Sequence, residues 1–199
     1  MKRTLLFACL CALLVLGLSA VAVRADDNPP SPGEHAGCVT ANGGDDDVRG
    51  GEDEGTATPA GEREGTDAAD DEHGTERDDV IDGNAGDDDI AGAVGDDDLC
   101  GDQGDDHISG GAGDDKIAGG TGDDVENGGA GDDLIEGDRG DDHITGGPGA
   151  DLILAGAGND RISARDHHRD RISCGSGTDT VTADRVDRVA TSCEHVSRH

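Results

Sequence analysis

A nine-residue motif repeats nine times without interruption between Gly83 and Ser163 of this 199-residue chain. Every row has Gly in its fourth place and Asp in its sixth, and the eighth place is Ile or Leu in every row except one. The rows read GNAGDDDIA, GAVGDDDLC, GDQGDDHIS, GGAGDDKIA, GGTGDDVEN, GGAGDDLIE, GDRGDDHIT, GGPGADLIL and AGAGNDRIS. Self-similarity at a short, fixed period is typical of a stacked coil in which each repeat packs on its neighbours.

Each row divides into a turn and a short strand. The glycine-rich first six residues can adopt the positive φ angles that a tight turn requires. The last three residues suffice for a short strand, in which the eighth residue points inward and its neighbours point outward. Two rows then close one coil of 18 residues, and coils stack through parallel strands about 4.8 Å apart. The sequence therefore predicts an all-β solenoid.

The sixth-place aspartates carry the chemistry of the repeat. Rows two apart lie on the same side of the coil, so these side chains form two stacks of carboxylates that repel each other unless a cation lies between them. One stack is Asp79, Asp97, Asp115, Asp133 and Asp151, and the other is Asp88, Asp106, Asp124, Asp142 and Asp160. A flexible site built only from oxygen ligands favours Ca²⁺ over Mg²⁺, which demands a tight octahedron.

Backbone carbonyl groups of the glycine-rich turns face the same gaps and are predicted to complete each site. They belong to the first-place and fourth-place glycines Gly83, Gly86, Gly92, Gly95, Gly101, Gly104, Gly110, Gly113, Gly119, Gly122, Gly128, Gly131, Gly137 and Gly140. Pairing each aspartate with the one two rows later gives several sites, at most about eight Ca²⁺ ions, with dissociation constants of about 10⁻⁴–10⁻³ M. The fifth-place aspartates are expected to be solvated charge only.

These rows resemble the calcium-binding nonapeptide repeats of RTX (hemolysin-type) proteins, whose pattern is G-G-x-G-x-D-x-U-x with U aliphatic. The resemblance implies a right-handed parallel β-roll with a Ca²⁺ ion in each gap between coils. Many RTX proteins carry an uncleaved C-terminal secretion signal, whereas this chain begins with a signal-like segment. It is therefore more similar to the smaller exported hemolysin-type calcium-binding proteins of bacteria, and cytolysis is not expected.

The chain outside the regular rows divides into three further parts. Residues 1–25 read as a secretory signal peptide cleaved after Ala25, with an uncleaved membrane anchor as the alternative. Residues 26–73 are acidic and poor in large apolar side chains, which predicts disorder apart from one degenerate repeat at 44–51. The roll is predicted over residues 74–182, and residues 183–199 are predicted to cap its C-terminal end.

Four cysteines follow the predicted signal peptide. A disulfide between Cys174 and Cys193 would pin the C-terminal cap, which suits an exported protein. Cys38 and Cys100 then either pair with each other or stay separate thiols, because four cysteines allow three connectivities.

Two rows depart from the pattern. Glu126 occupies the inward eighth place of its row, where a buried carboxylate is costly. We expect either a bulge that turns Val125 inward or a water-filled flaw. The row that begins at Ala164 is ten residues long and has His168 in place of Gly, so calcium binding is expected to fade there.

Charge and composition exclude several classes of function. A formal charge of −32 argues against binding nucleic acid or an anionic membrane. No catalytic motif is recognisable, and one aliphatic side chain per row is too thin a core to fold without metal. We therefore expect a secreted, monomeric, non-catalytic calcium-binding protein that folds as it binds the ions. The alternatives are a Ca²⁺-stiffened adhesin or matrix or envelope component that contacts the cell surface, and the calcium-binding remnant of an exported hydrolase or cytolysin.

Overall fold

The computed structural model describes residues 62–199, which form two eight-stranded parallel sheets. The odd-numbered strands make one sheet and the even-numbered strands the other, so the chain changes sheet after every strand. The first sheet contains β1 (Glu62–Glu64), β3 (Val80–Asp82), β5 (Asp98–Gln103), β7 (Lys116–Thr121), β9 (Leu134–Arg139), β11 (Leu152–Leu154), β13 (Arg171–Ser173) and β15 (Arg188–Val189). The second contains β2 (Asp71–His73), β4 (Asp89–Val94), β6 (His107–Ala112), β8 (Val125–Ala130), β10 (His143–Thr145), β12 (Arg161–Ala164), β14 (Thr180–Ala183) and β16 (His195–Arg198). The protein is a parallel β-solenoid with one strand of each sheet in every coil.

Each strand pairs with the strand of the same sheet in the next coil. Ile81 pairs with Leu99, and Leu99 pairs with Ile117, at steps of 18 residues. The eighth-place side chains therefore stack in two buried columns, each residue at most 3 % exposed. These residues are Ile81, Leu99, Ile117, Ile135 and Ile153 in the first sheet, and Ile90, Ile108, Ile144 and Ile162 in the second. The predicted coil of two rows around an aliphatic spine is confirmed.

Two places in most rows from Gly83 onward have a backbone with positive φ. The fourth-place Gly95 and Gly104 have φ angles of 136° and 137°. A Cβ atom built on Gly113 would collide with the carbonyl oxygen of Gly95 in the preceding coil. The second place is also left-handed, with φ of 112° at Gly111 and 83° at Ala93. Close approach between coils and backbone conformation together explain the unbroken glycine column.

Glu126 faces into the roll. It is 1 % exposed, whereas the neighbouring Val125 is 41 % exposed. Its backbone pairs in register with Ile108 on one side and Ile144 on the other. The predicted bulge that would turn Val125 inward is therefore wrong, because parallel pairing on both sides holds the strand in the common register.

Within the described residues, the roll begins at Glu62 and not at Gly74. Strands β1 and β2 pair in parallel with β3 and β4, where disorder was predicted up to residue 73. That prediction is wrong for residues 62–73. Asp70 keeps the sixth place of this early row, and its N–H donates to Oδ1 of Asp88 at 2.8 Å. The predicted signal peptide, the rest of the acidic segment and the degenerate repeat at 44–51 lie outside the described residues.

The C-terminal residues continue the strand pairing. Val189 pairs with Ile172, and Val196 pairs with Val181. Cys174 and Cys193 form the predicted disulfide, with Cα atoms 5.2 Å apart. The C-terminal residues thus add a last coil to the roll, and a disulfide ties it to the preceding coil.

The second predicted disulfide falls partly outside the described residues. Cys100 is buried in β5 and takes part in a disulfide bond. Its predicted partner Cys38 is not among the described residues, so that pairing stays a prediction. Within residues 62–199, no helix is both long and apolar enough to cross a membrane.

Candidate metal centres

The sixth-place aspartates form two buried ladders, one on each side of the coil. The backbone N–H of each aspartate donates to Oδ1 of the aspartate one coil later, as from Asp79 to Asp97 and from Asp88 to Asp106, both at 2.8 Å. The ten predicted ligands from Asp79 to Asp160 all belong to these ladders, and each is at most 3 % exposed. The structure therefore brings together the carboxylates that the repeat pattern placed in two stacks.

The second carboxylate oxygen of these side chains is buried without a hydrogen-bond partner. This applies to Oδ2 of Asp88, Asp97, Asp106, Asp115, Asp124, Asp133, Asp142, Asp151 and Asp160. Asp79 differs, because its Oδ2 accepts hydrogen bonds from the N–H and the hydroxyl of Thr75 at 2.6 and 2.9 Å. A buried carboxylate oxygen without a partner is costly. Each one is thus an available ligand atom for a cation.

Most of the unpartnered oxygens lie in cradles formed by the first-place glycines. A Cβ atom built on Gly137 would lie 2.7 Å from Oδ2 of Asp142 and 2.6 Å from the carbonyl oxygen of Ala155 in the next coil. At Gly92, Oδ2 of Asp97 and the carbonyl oxygen of Gly110 crowd the same point. A carboxylate oxygen from one coil and a carbonyl oxygen from the next therefore converge where only glycine leaves room. This oxygen-only donor set fits Ca²⁺.

The fourth-place carbonyl groups are placed differently. The carbonyl oxygen of Gly95 lies against Gly113 of the next coil, where a Cβ atom would also lie 3.0 Å from Oδ1 of Asp96. The first-place carbonyls thus meet the unpartnered oxygens, whereas this fourth-place carbonyl meets a fifth-place carboxylate. The predicted ligand roles of both sets of glycines stay predictions.

The fifth-place aspartates form a second pair of ladders on the surface. Oδ1 of Asp78 accepts from the N–H of Asp96 at 3.1 Å, and Oδ1 of Asp96 accepts from Asp114 at 2.9 Å. These side chains are exposed, but each accepts a hydrogen bond from a backbone N–H of the coil that follows. The expectation that they are solvated charge only is wrong. They accept from the following coil, and the sixth-place aspartates accept from the preceding one.

Burial raises the pKa of the sixth-place carboxyl groups from Asp88 to Asp160, because their charged form loses hydration. It raises the pKa of Asp106 and Asp115 to about 6 and that of Asp124 and Asp142 to about 7. The hydrogen bond from the preceding coil opposes this shift of each pKa, and neighbouring carboxylates add to it. A positive charge in the cradles would counteract both the loss of hydration and the repulsion between neighbouring carboxylates.

The ladders continue into the row where calcium binding was expected to fade. The N–H groups of Asp151 and Asp160 donate to Oδ1 of Asp170 and Asp179, both at 3.0 Å. Oδ2 of Asp170 and Asp179 is again buried without a partner. Sequence reasoning missed these two residues. The available signal was the spacing, since an aspartate stands two residues before an inward aliphatic side chain, as in the regular rows.

The ten-residue row keeps the ladder in phase because its extra residue is taken up in the turn. His167 has a φ of 77°, and its N–H donates to Oδ2 of Asp184 at 2.7 Å. The ladders end at Asp187 and Glu194, whose carboxylates accept the N–H groups of the last ladder aspartates at 3.2 and 3.0 Å.

Side chains alone do not form a metal centre in the part of the chain that the structure describes. Within residues 62–199, no three His, Cys, Asp or Glu side chains are grouped so that they could hold a metal ion. Backbone carbonyl oxygens at the glycine cradles are available as further ligands.

The comparisons with known proteins agree with this geometry. Residues 64–99, 95–126 and 127–162 match the family model of the RTX calcium-binding nonapeptide repeat. Among curated proteins, no match was found. The matched residues contain the cradles and the ladders from Asp70 to Asp160. Repeats of this family bind calcium in general. This chain is therefore an RTX-type repeat protein, and its nonapeptide rows form a β-roll.

Proposed function

We propose that this protein is a secreted calcium-binding protein whose roll folds as Ca²⁺ enters the cradles between coils. The observation that carries the proposal is the series of buried, unpartnered Oδ2 atoms. Six of them lie in a glycine cradle that a carbonyl oxygen of the next coil also enters, namely those of Asp88, Asp97, Asp106, Asp115, Asp133 and Asp142. A stack of buried carboxylates opposes folding unless positive charge accompanies it. Metal binding and folding are then one equilibrium.

The two oxygens of each ladder aspartate have separate roles in this proposal. Oδ1 keeps its hydrogen bond to the preceding coil, so the strand register does not change when the site fills. Oδ2 and the first-place carbonyl oxygen would hold Ca²⁺, which supplies the positive charge that the ladder lacks. Several equivalent gaps follow from the repeat, at most about eight among the predicted rows.

We further propose that the protein acts outside the cell, as a monomer without catalytic activity. The predicted signal peptide at residues 1–25 supports export. The Cys174–Cys193 disulfide is typical of an oxidising compartment. The charge of −32 favours cations and basic surfaces as partners.

A calcium titration of the purified chain tests this function. Circular dichroism is recorded with EGTA and then with millimolar Ca²⁺, and native mass spectrometry counts the bound ions. We expect a disordered spectrum that becomes β-rich with Ca²⁺, together with several bound ions. A β-rich spectrum that Ca²⁺ does not change, or only one or two bound ions, would contradict the proposal.

A further inference from the structure

The interior of the roll contains a carboxylate that the repeat pattern does not account for. Glu126 stands in the aliphatic column between Ile108 and Ile144 and is 1 % exposed. Both of its carboxylate oxygens are buried without a hydrogen-bond partner. Glu72 also occupies an eighth place, but it lies half-buried in the first coil of its sheet.

The carboxylate of Glu126 reaches one of the glycine cradles. A Cβ atom built on Gly119 would lie 2.7 Å from Oε1 of Glu126 and 2.6 Å from Oδ2 of Asp124. Two carboxylate oxygens, from two side chains of the same row, therefore converge on this cradle. In the regular cradle at Gly92, the corresponding oxygens are one carboxylate and one carbonyl.

The surroundings of Glu126 offer it no positive partner. The charged groups that act on it most strongly are Asp124, Asp138, Asp142 and Asp160, all of them carboxylates. An uncompensated buried carboxylate among others of the same sign is strongly unfavourable. A cation in the cradle at Gly119 would be contacted by both Glu126 and Asp124 and would compensate both.

We propose that Glu126 is an inward ligand of a Ca²⁺ ion held at Asp124, so that this site carries one more carboxylate than the others and binds its ion first. The inference rests on the proposed calcium-binding function of the ladders. Calcium affinity rises with the number of charged ligands. Strand β8 has neighbours on both sides in its sheet, so an ion bound there first would order coils in both directions.

Four full-length proteins test the proposal: the wild type, Glu126→Gln, Glu126→Ile and the control Glu136→Gln. Glu126→Gln keeps the size of the side chain and removes its charge. Glu126→Ile restores the aliphatic column, so failure to fold would not explain a loss of binding. Glu136 is a partly exposed glutamate of the next row, and its substitution makes the same change of charge away from the spine. Native mass spectrometry at buffered free Ca²⁺ measures the concentration at which the first ion binds.

We expect both Glu126 variants to need about tenfold more free Ca²⁺ to bind the first ion, and Glu136→Gln to resemble the wild type. If Glu126 is only a costly buried charge, removing it relieves repulsion, and both variants bind the first ion as well as the wild type or better. That result would overturn this inference alone. A wild type that binds no Ca²⁺ would overturn it together with the proposed function.

Discussion

The N–H of Asp124 donates to Oδ1 of Asp142 at 3.0 Å, while Oδ2 of Asp142 is buried without any partner. The two oxygens of this carboxylate thus differ. Oδ1 accepts a hydrogen bond from the preceding coil, whereas Oδ2 has no partner and faces a glycine cradle. The exposed fifth-place aspartates add hydrogen bonds in the opposite direction, as from Asp141 to Asp123 at 2.8 Å. Coils are therefore linked by side chains in both directions, in addition to the strand pairing.

Replacing one ladder aspartate should have opposite effects with and without calcium. In Asp115→Asn, Oδ1 can still accept the N–H of Asp97, and the new amide can donate to the carbonyl oxygen of Gly128 in the same cradle. We expect the metal-free roll to become more stable, and the Ca²⁺-loaded roll to lose a bound ion and about 1–3 kcal/mol. Circular dichroism with EGTA should show more β-structure in the variant than in the wild type, and urea unfolding with Ca²⁺ measures the loss of stability. Asp114→Asn in the exposed ladder is the control, and an equal loss of bound calcium in both variants would contradict the prediction.

The metal-free roll should be more stable in acid. Burial raises the folded-state pKa of Asp106 to about 6 and of Asp124 to about 7, above the ordinary value of 3.8. The folded state therefore binds more protons than the unfolded state, and its stability falls as pH rises through 6 to 7. In calcium-free buffer we expect circular dichroism to show more β-structure at pH 5 than at pH 8. Saturating Ca²⁺ should remove this dependence, and a metal-free spectrum that is the same at both pH values would contradict it.

Two alanine-to-glycine substitutions should change the stability of the roll in opposite directions. Ala93 has a φ of 83°, a conformation that costs an L-residue about 1–2 kcal/mol, so Ala93→Gly should stabilise the Ca²⁺-loaded roll by about 1 kcal/mol. Ala112 is an exposed strand residue, and its φ is not positive. Ala112→Gly should destabilise the roll by about 0.5–1 kcal/mol. Thermal unfolding at saturating Ca²⁺ compares them, and destabilisation by both changes would refute the assignment of strain to Ala93.

Removing the disulfide should loosen only the C-terminal coils. Replacing Cys174 and Cys193 by Ser opens a link with a sequence separation of 19 and should cost about 2–4 kcal/mol. Because a solenoid coil contacts only its neighbours, the loss should be confined to the last strands. Hydrogen exchange with bound Ca²⁺ should show faster exchange in β13 to β16 and unchanged exchange in β4 to β8. Uniformly faster exchange would mean that the roll unfolds as one unit.

The nine-residue period alone determined the architecture and the type of site. An aliphatic side chain every nine residues predicts the spine, and an aspartate two places earlier predicts the ladders, because strand alternation fixes which side chains share a face. The Cys174–Cys193 disulfide was also predictable, since the tail that contains Cys193 had to cover the last coil.

Only the tertiary structure decided how the oxygens are used. The offset between coils gives Oδ1 a donor and leaves Oδ2 without one, and it engages the exposed fifth-place aspartates as well. Pairing with the next coil also orders the irregular row around Asp70 and keeps Glu126 inside, although neither row satisfies the local pattern. A strand between two neighbours takes its register from them, because slipping by one residue would turn every side chain to the other face.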